Sequence, residues 1–159
     1  MKRHSFAASL ALAVVVVLGL TGPVAAQVQV PFKGSFVGLD TGTPLVPPLM
    51  AVQVKATGNA TQLGKFTFLE LVTVNTATGI GSGTFLFTAA NVGTVFGTIS
   101  GKATFTPPNV LTIEENAIIT GGTGRFAEAT GTFTATRLKN TATNVTTASF
   151  TGTISSPSP

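Results

Sequence analysis

Residues 118–133 read Ile-Ile-Thr-Gly-Gly-Thr-Gly-Arg-Phe-Ala-Glu-Ala-Thr-Gly-Thr-Phe. Inside this stretch, Gly122-Thr123-Gly124-Arg125-Phe126-Ala127 has the G-x-G-x-x-A spacing of a dinucleotide-binding turn. That turn needs a long helix after it, because the helix N-terminus receives the pyrophosphate. Here Gly131 stops any helix within two turns, and Thr132-Phe133-Thr134-Ala135-Thr136 then alternates polar and apolar residues. Alternation of that kind is a strand period. The stretch therefore reads as strand, tight turn, strand. Gly121, Gly122, Gly124 and Gly131 provide positive φ and close chain approach at a sheet rim. Phe126 is expected to plug that rim.

The same period runs outward in both directions. After residue 26, short runs of Val, Ile, Phe and Thr alternate between Gly, Asn and Pro breaks. Eight strands are expected at about 30–38, 50–58, 63–74, 80–90, 94–106, 110–120, 131–138 and 145–155. Short links make successive strands antiparallel neighbours. The fold class is all-β, an eight-stranded antiparallel up-and-down β-barrel, which removes exposed edges. A two-sheet β-sandwich is the alternative. Pro44, Pro47 and Pro48 mark a loop from Asp40 to Leu49. Phe, Val, Ile and Ala fall on one face of each strand and Thr, Ser and Lys on the other, so the first face is the interior. Leu69, Leu71, Leu86 and Phe96 interrupt the Thr face. They form either a homo-oligomer contact or a patch covered by the 40–49 loop.

Residues 118–133 also resemble the strand–turn–strand signature of the allene oxide cyclase and dirigent barrel families. The matching positions are Gly121, Gly122, Thr123, Gly124, Phe126, Ala129 and Gly131. The resemblance implies an eight-stranded barrel like those of small exported bacterial proteins. It also implies a lumen in which cyclisation or radical coupling is guided by shape and a few polar groups. The Tyr, His or Cys groups usual in such lumens have no counterpart here. Tyr and Cys are absent, and the one His is His4.

Composition narrows the chemistry further. Only 9% of the 159 residues are charged, against roughly 25% in ordinary domains. Without Cys there is no disulfide framework, thiolate nucleophile or thiolate metal site. No metal and no cofactor is expected. Lys2 and Arg3, the apolar run Phe6–Leu20 and the small residues Val24-Ala25-Ala26 form a signal peptide over residues 1–26. The expected product is a single barrel domain, 27–155, with a disordered tail, 156–159. It would be exported to the periplasm or outside the cell, with no membrane insertion after cleavage. Beyond residue 26, seven basic residues stand against five acidic ones with no basic stripe, so no nucleic-acid partner is expected.

Sorting those charges by face isolates three. Lys33, Lys55, Lys65, Lys102 and Glu114 fall on the water face. Asp40, Arg125, Glu128 and Lys139 fall in loops and turns. Glu70, Glu115 and Arg137 alternate with apolar residues and so fall on the interior. Two carboxyls and one guanidinium allow one ion pair and one acid with a raised pKa. Such a group beside an apolar lumen can hold or protonate a carbonyl or hydroxyl. Phe66, Phe68, Phe85, Phe87, Phe133 and Phe150 are the expected lining for an apolar small molecule. Two functions follow. One is an exported, non-catalytic barrel that binds an apolar small molecule. The other is a cofactor-free isomerase or cyclase, with Glu70 or Glu115 as acid and Arg137 as clamp.

Overall fold

The computed structural model describes residues 27–157, so the signal peptide expected over 1–26 lies outside the described residues. Eight strands form a closed antiparallel barrel in chain order. They are β1 (Gln29–Pro44), β2 (Leu49–Ala60), β3 (Gly64–Asn75), β4 (Ile80–Ala89), β5 (Thr94–Thr106), β6 (Val110–Gly122), β7 (Gly131–Asn140) and β8 (Val145–Ser155). Pairing of β1 with β8 closes the cylinder. Closure satisfies both edges of every strand. The sandwich alternative is thereby excluded.

Alternation sorts the residues as expected. Phe32, Phe36, Val54, Phe66, Phe68, Phe85, Phe87, Val95, Ile99, Ile119, Phe133, Phe150 and Ile154 are buried. Thr132, Thr134, Thr136, Thr151 and Thr153 are exposed, and β7 pairs with β8 so that Thr132 faces Thr153 and Thr134 faces Thr151. Thr suits a strand and stays wet on its hydroxyl side. Among the described residues no helix is long and apolar enough to cross a membrane.

The loop expected from Asp40 to Leu49 is corrected by the structure. β1 continues to Pro44, with Thr41, Gly42 and Thr43 paired to Gln53, Val52 and Ala51. Only 45–48 turn. Leu45 donates to the Leu49 carbonyl, and Leu49 donates to that of Val46. Both Leu45 and Val46 are exposed, so the turn buries neither side chain. Phe105 keeps the interior parity of β5 and lines the cavity, but near the strand end it is 54% exposed. On the outer wall, Leu69 faces Leu86 and Leu86 faces Phe96, an apolar row across β3, β4 and β5.

The 118–133 stretch builds the closed end. A register shift opposite Phe96 and Gly97 leaves Thr120 without a partner on β5, a β-bulge that re-aims the strand. Gly124–Phe126 is a single 3-10 turn, and the chain then returns as β7. No nucleotide-binding helix forms. Gly124 has φ +62° and Gly131 φ +154°, where a Cβ is strained. A Cβ on Gly122 would stand 2.4 Å from the carbonyl oxygens of Phe126 and Thr94. Phe126 is buried in the core, as expected of a plug. Arg125 stacks on the Phe126 ring at 4.9 Å and donates to the Gln62 carbonyl, tying the plug to the β2–β3 turn. At the chain end Ser156 donates to the Val28 carbonyl, while 158–159 lie outside the described residues.

The Phe rings fill this half of the barrel. Phe87 lies 4.7–5.9 Å, centroid to centroid, from Phe32, Phe66, Phe68, Phe85, Phe133 and Phe150. These are edge-to-face and tilted geometries, which suit aromatic quadrupoles. Phe87→Ala should therefore cost about 3–5 kcal/mol of folding stability, measured by urea unfolding. A loss under 1 kcal/mol would mean that the rings repack around the gap.

Candidate functional site

The other half of the barrel ends in a charged layer beneath a cavity. Arg137, on β7, is 3% exposed and spans the lumen. Its Nη1 donates to Asp40 Oδ2 at 2.7 Å. Its Nη2 donates to Glu115 Oε1 at 2.5 Å and to Glu70 Oε1 at 3.2 Å. Its Nε donates to Glu115 Oε1 at 3.2 Å and to Oε2 at 3.4 Å. Lys139 Nζ donates to Asp40 Oδ1 at 2.8 Å. β1, β3, β6 and β7 are thus tied through one guanidinium. Planarity and delocalised charge make Arg the residue for several carboxylates at once.

The three interior charges expected from alternation do meet. Two partners were misplaced and are corrected. Asp40 and Lys139 are interior-facing strand residues, not loop residues. Asp40 shares parity with Phe32 and Phe36 on β1, and Lys139 with Phe133 and Arg137 on β7. Carrying each alternation two to four residues further would have found both. Pro44, Pro47 and Pro48 in one case, and the Asn140 turn in the other, hid the strand ends.

Room for the layer comes from glycine. Gly101 on β5 pairs with Glu115 on β6, and a Cβ there would stand 2.8 Å from Glu115 Cγ. The Glu115 side chain lies across that gap toward Arg137.

Three carboxyl groups share two cations in this layer. Glu70 is 0% exposed, and its pKa is pushed up to about 8. Burial is the main cause. The Glu115 charge adds to it, Arg137 opposes it, and Asp40 and a hydrogen bond with Glu115 add again. Burial also works against the Arg137 charge, but Glu70, Glu115 and Asp40 more than offset that and raise its pKa. A proton on Glu70 leaves two carboxylates against two cations. Glu70 Oε2 is the buried side-chain oxygen for which the described residues provide no donor.

Above the layer lies a cavity of about 630 Å³ at the barrel end formed by the 45–48, 76–79, 107–109 and 141–144 turns. Met50, Val52, Val72, Val74, Leu111 and Ile113 make its apolar wall. Gly81, Gly101 and Ala103 line its β4–β5 side. Asp40, Glu70, Glu115, Arg137 and Lys139 border its inner end, and Thr76, Thr78 and Thr104 its mouth. Phe66, Phe68, Phe85, Phe87, Phe133 and Phe150 were expected to line this space. The structure places them below the charged layer, packed on one another, and other residues line the cavity. Interior glycines at 81 and 101, close to the interior charges, were the signal for its position. Among the described residues no cluster of acidic or histidine side chains is arranged to hold a metal ion.

Comparison of the chain with protein-family models, curated proteins and solved structures found no match.

The layer has a measurable pH signature. Between pH 4.5 and about 8 the folded chain keeps the Glu70 proton and the unfolded chain releases it. The folded state binds more protons there, so this group's contribution to stability falls as pH rises through that window. Glu70→Gln keeps the shape and removes the titration. Its stability relative to the parent should rise from pH 4.5 to 8, by on the order of a few kcal/mol, and then level off. Urea unfolding of both proteins across pH checks this, and a constant difference would refute it. Arg137→Met leaves three buried carboxyl groups without their shared partner and should cost about 3–5 kcal/mol at pH 7.

Proposed function

We propose that this chain is an exported, non-catalytic β-barrel that binds an apolar small molecule in the open half of its lumen. The observation that carries the proposal is the cavity of about 630 Å³, which lies in the size range of small-molecule sites. An apolar wall closing on a few buried polar groups is the usual composition of such sites. Its place at a barrel mouth is equally common. Export is supported by Lys2, Arg3, the Phe6–Leu20 run and Val24-Ala25-Ala26.

The cofactor-free isomerase or cyclase is the second reading. It is favoured by one observation, a proton-holding carboxyl at the edge of an apolar cavity. Against it, every nitrogen of the Arg137 guanidinium is already engaged by a carboxylate. A clamp for a substrate oxygen has to come from elsewhere, so the binding role is preferred.

The neutral fluorophore N-phenyl-1-naphthylamine should bind with a blue shift and saturate at one site. Ala103→Trp, which puts a large ring into the cavity from β5, should weaken that binding by tenfold or more while the far-UV circular dichroism stays the same. Absence of binding to the parent protein would refute the cavity assignment. Separately, intact-mass analysis of protein recovered from a secreting host should place the mature N-terminus at Gln27. A retained 1–26 segment would refute the export assignment.

A further inference from the structure

We propose that the small molecule carries a protonated amine, seated on Glu70 at the inner end of the cavity with its apolar part along the wall. The inference rests on the cavity reading and names the ligand class for it.

The buried layer is short of one positive charge and one hydrogen-bond donor, and both shortages fall on the same atom. Among the described residues, Asp40, Glu70 and Glu115 face only the cations Arg137 and Lys139. Asp40 uses Oδ2 for Arg137 and Oδ1 for Lys139. Both oxygens of Glu115 accept from Arg137. Glu70 Oε1 accepts from Arg137, and among the described residues no group donates to Oε2. Glu70 also borders the cavity, beside the apolar wall of Val52, Val72 and Val74. An ammonium group supplies a unit charge and an N–H together. An ionic hydrogen bond of that kind is about twice as strong as a neutral one.

Other head groups fit less well. A carboxylate would bring a fourth acid to a layer with two cations. A ketone has no donor for Oε2. It can accept the Glu70 proton only by displacing the hydrogen bond with Glu115, a neutral exchange.

Without a ligand, a proton on Glu70 takes the place of the missing cation. Binding of an ammonium head then exchanges one charge for another. The Glu70 O–H proton leaves to solvent, and the N–H of the ammonium donates to the carboxylate. The groups facing Glu70 are Asp40 on β1, Glu115 on β6 and Arg137 on β7, with Lys139 held one step away on Asp40. The flanking strands put Val54 and Phe85 opposite it, and neither titrates. Affinity should therefore rise with pH by up to about tenfold per unit until the Glu70 proton is lost, near pH 8.

Isothermal titration calorimetry of the purified protein tests this with octylammonium chloride, sodium octanoate and 2-octanone at pH 6, 7 and 8. At pH 8 octylammonium should bind about tenfold or more tighter than either competitor, and more weakly at each lower pH. At pH 7, buffers of different ionisation enthalpy should reveal about one proton released per ligand. Glu70→Gln should lose the preference, the pH dependence and the proton release, with the far-UV circular dichroism unchanged. Equal or tighter binding of octanoate or 2-octanone overturns the inference, as does pH dependence that survives in Glu70→Gln. If N-phenyl-1-naphthylamine binds the parent and octylammonium does not, the head-group assignment alone fails. If neither binds, the cavity reading fails and takes this inference with it.

Discussion

One guanidinium holds carboxyl groups from three strands at a single level of the barrel. Arg137 on β7 reaches Asp40 on β1, Glu70 on β3 and Glu115 on β6. Burying so many charges is expensive, and their mutual attraction repays the cost only when geometry and hydrogen bonding are nearly complete. That requirement constrains everything around it. Gly101 is needed where Glu115 crosses, Lys139 is needed for the second oxygen of Asp40, and Glu70 must keep a proton. The alternatives are an uncompensated charge or an unmet acceptor.

The layer also divides the lumen. On the side of the 118–133 turn, Phe rings interlock around Phe87, and Phe126 and Leu63 close the end. On the other side the inward residues include Met50, Val52, Val72, Val74, Ala103, Leu111 and Ile113. A barrel of eight strands is just wide enough for large side chains to fill. Exchanging rings for smaller side chains leaves the volume unfilled. The cavity is therefore a consequence of side-chain size at alternate positions, and the charged layer is what stops the aromatic packing short of it.

Much of this was legible in the chain. Period-two alternation with Thr on one face identified the strands, the barrel and the inward-facing Phe residues. Glycines in 118–133 marked a tight turn where a nucleotide motif would need a helix. Scarcity of charge made Glu70, Glu115 and Arg137 conspicuous. Other features were hidden by local composition. Three prolines near Asp40 suggested a loop, although β1 pairs through Pro44. Lys139 looked like a turn residue because Asn140 follows it. The six Phe residues were identified correctly as interior, but a ring facing inward can line a cavity or fill one. Only its distance to the other rings distinguishes the two.

The sequence by itself determined which face of each strand turns inward, because successive Cβ atoms point to opposite sides of a pleated sheet. That rule is local and needs no partner strand. Tertiary structure alone decided which inward residues share a level, because level depends on the stagger between strands as the sheet closes. The stagger places Asp40, Glu70, Glu115 and Arg137 within reach of one another and puts the rings below them. It also sets Val72, Val74 and Ala103 above, where side chains smaller than a ring leave the lumen unfilled.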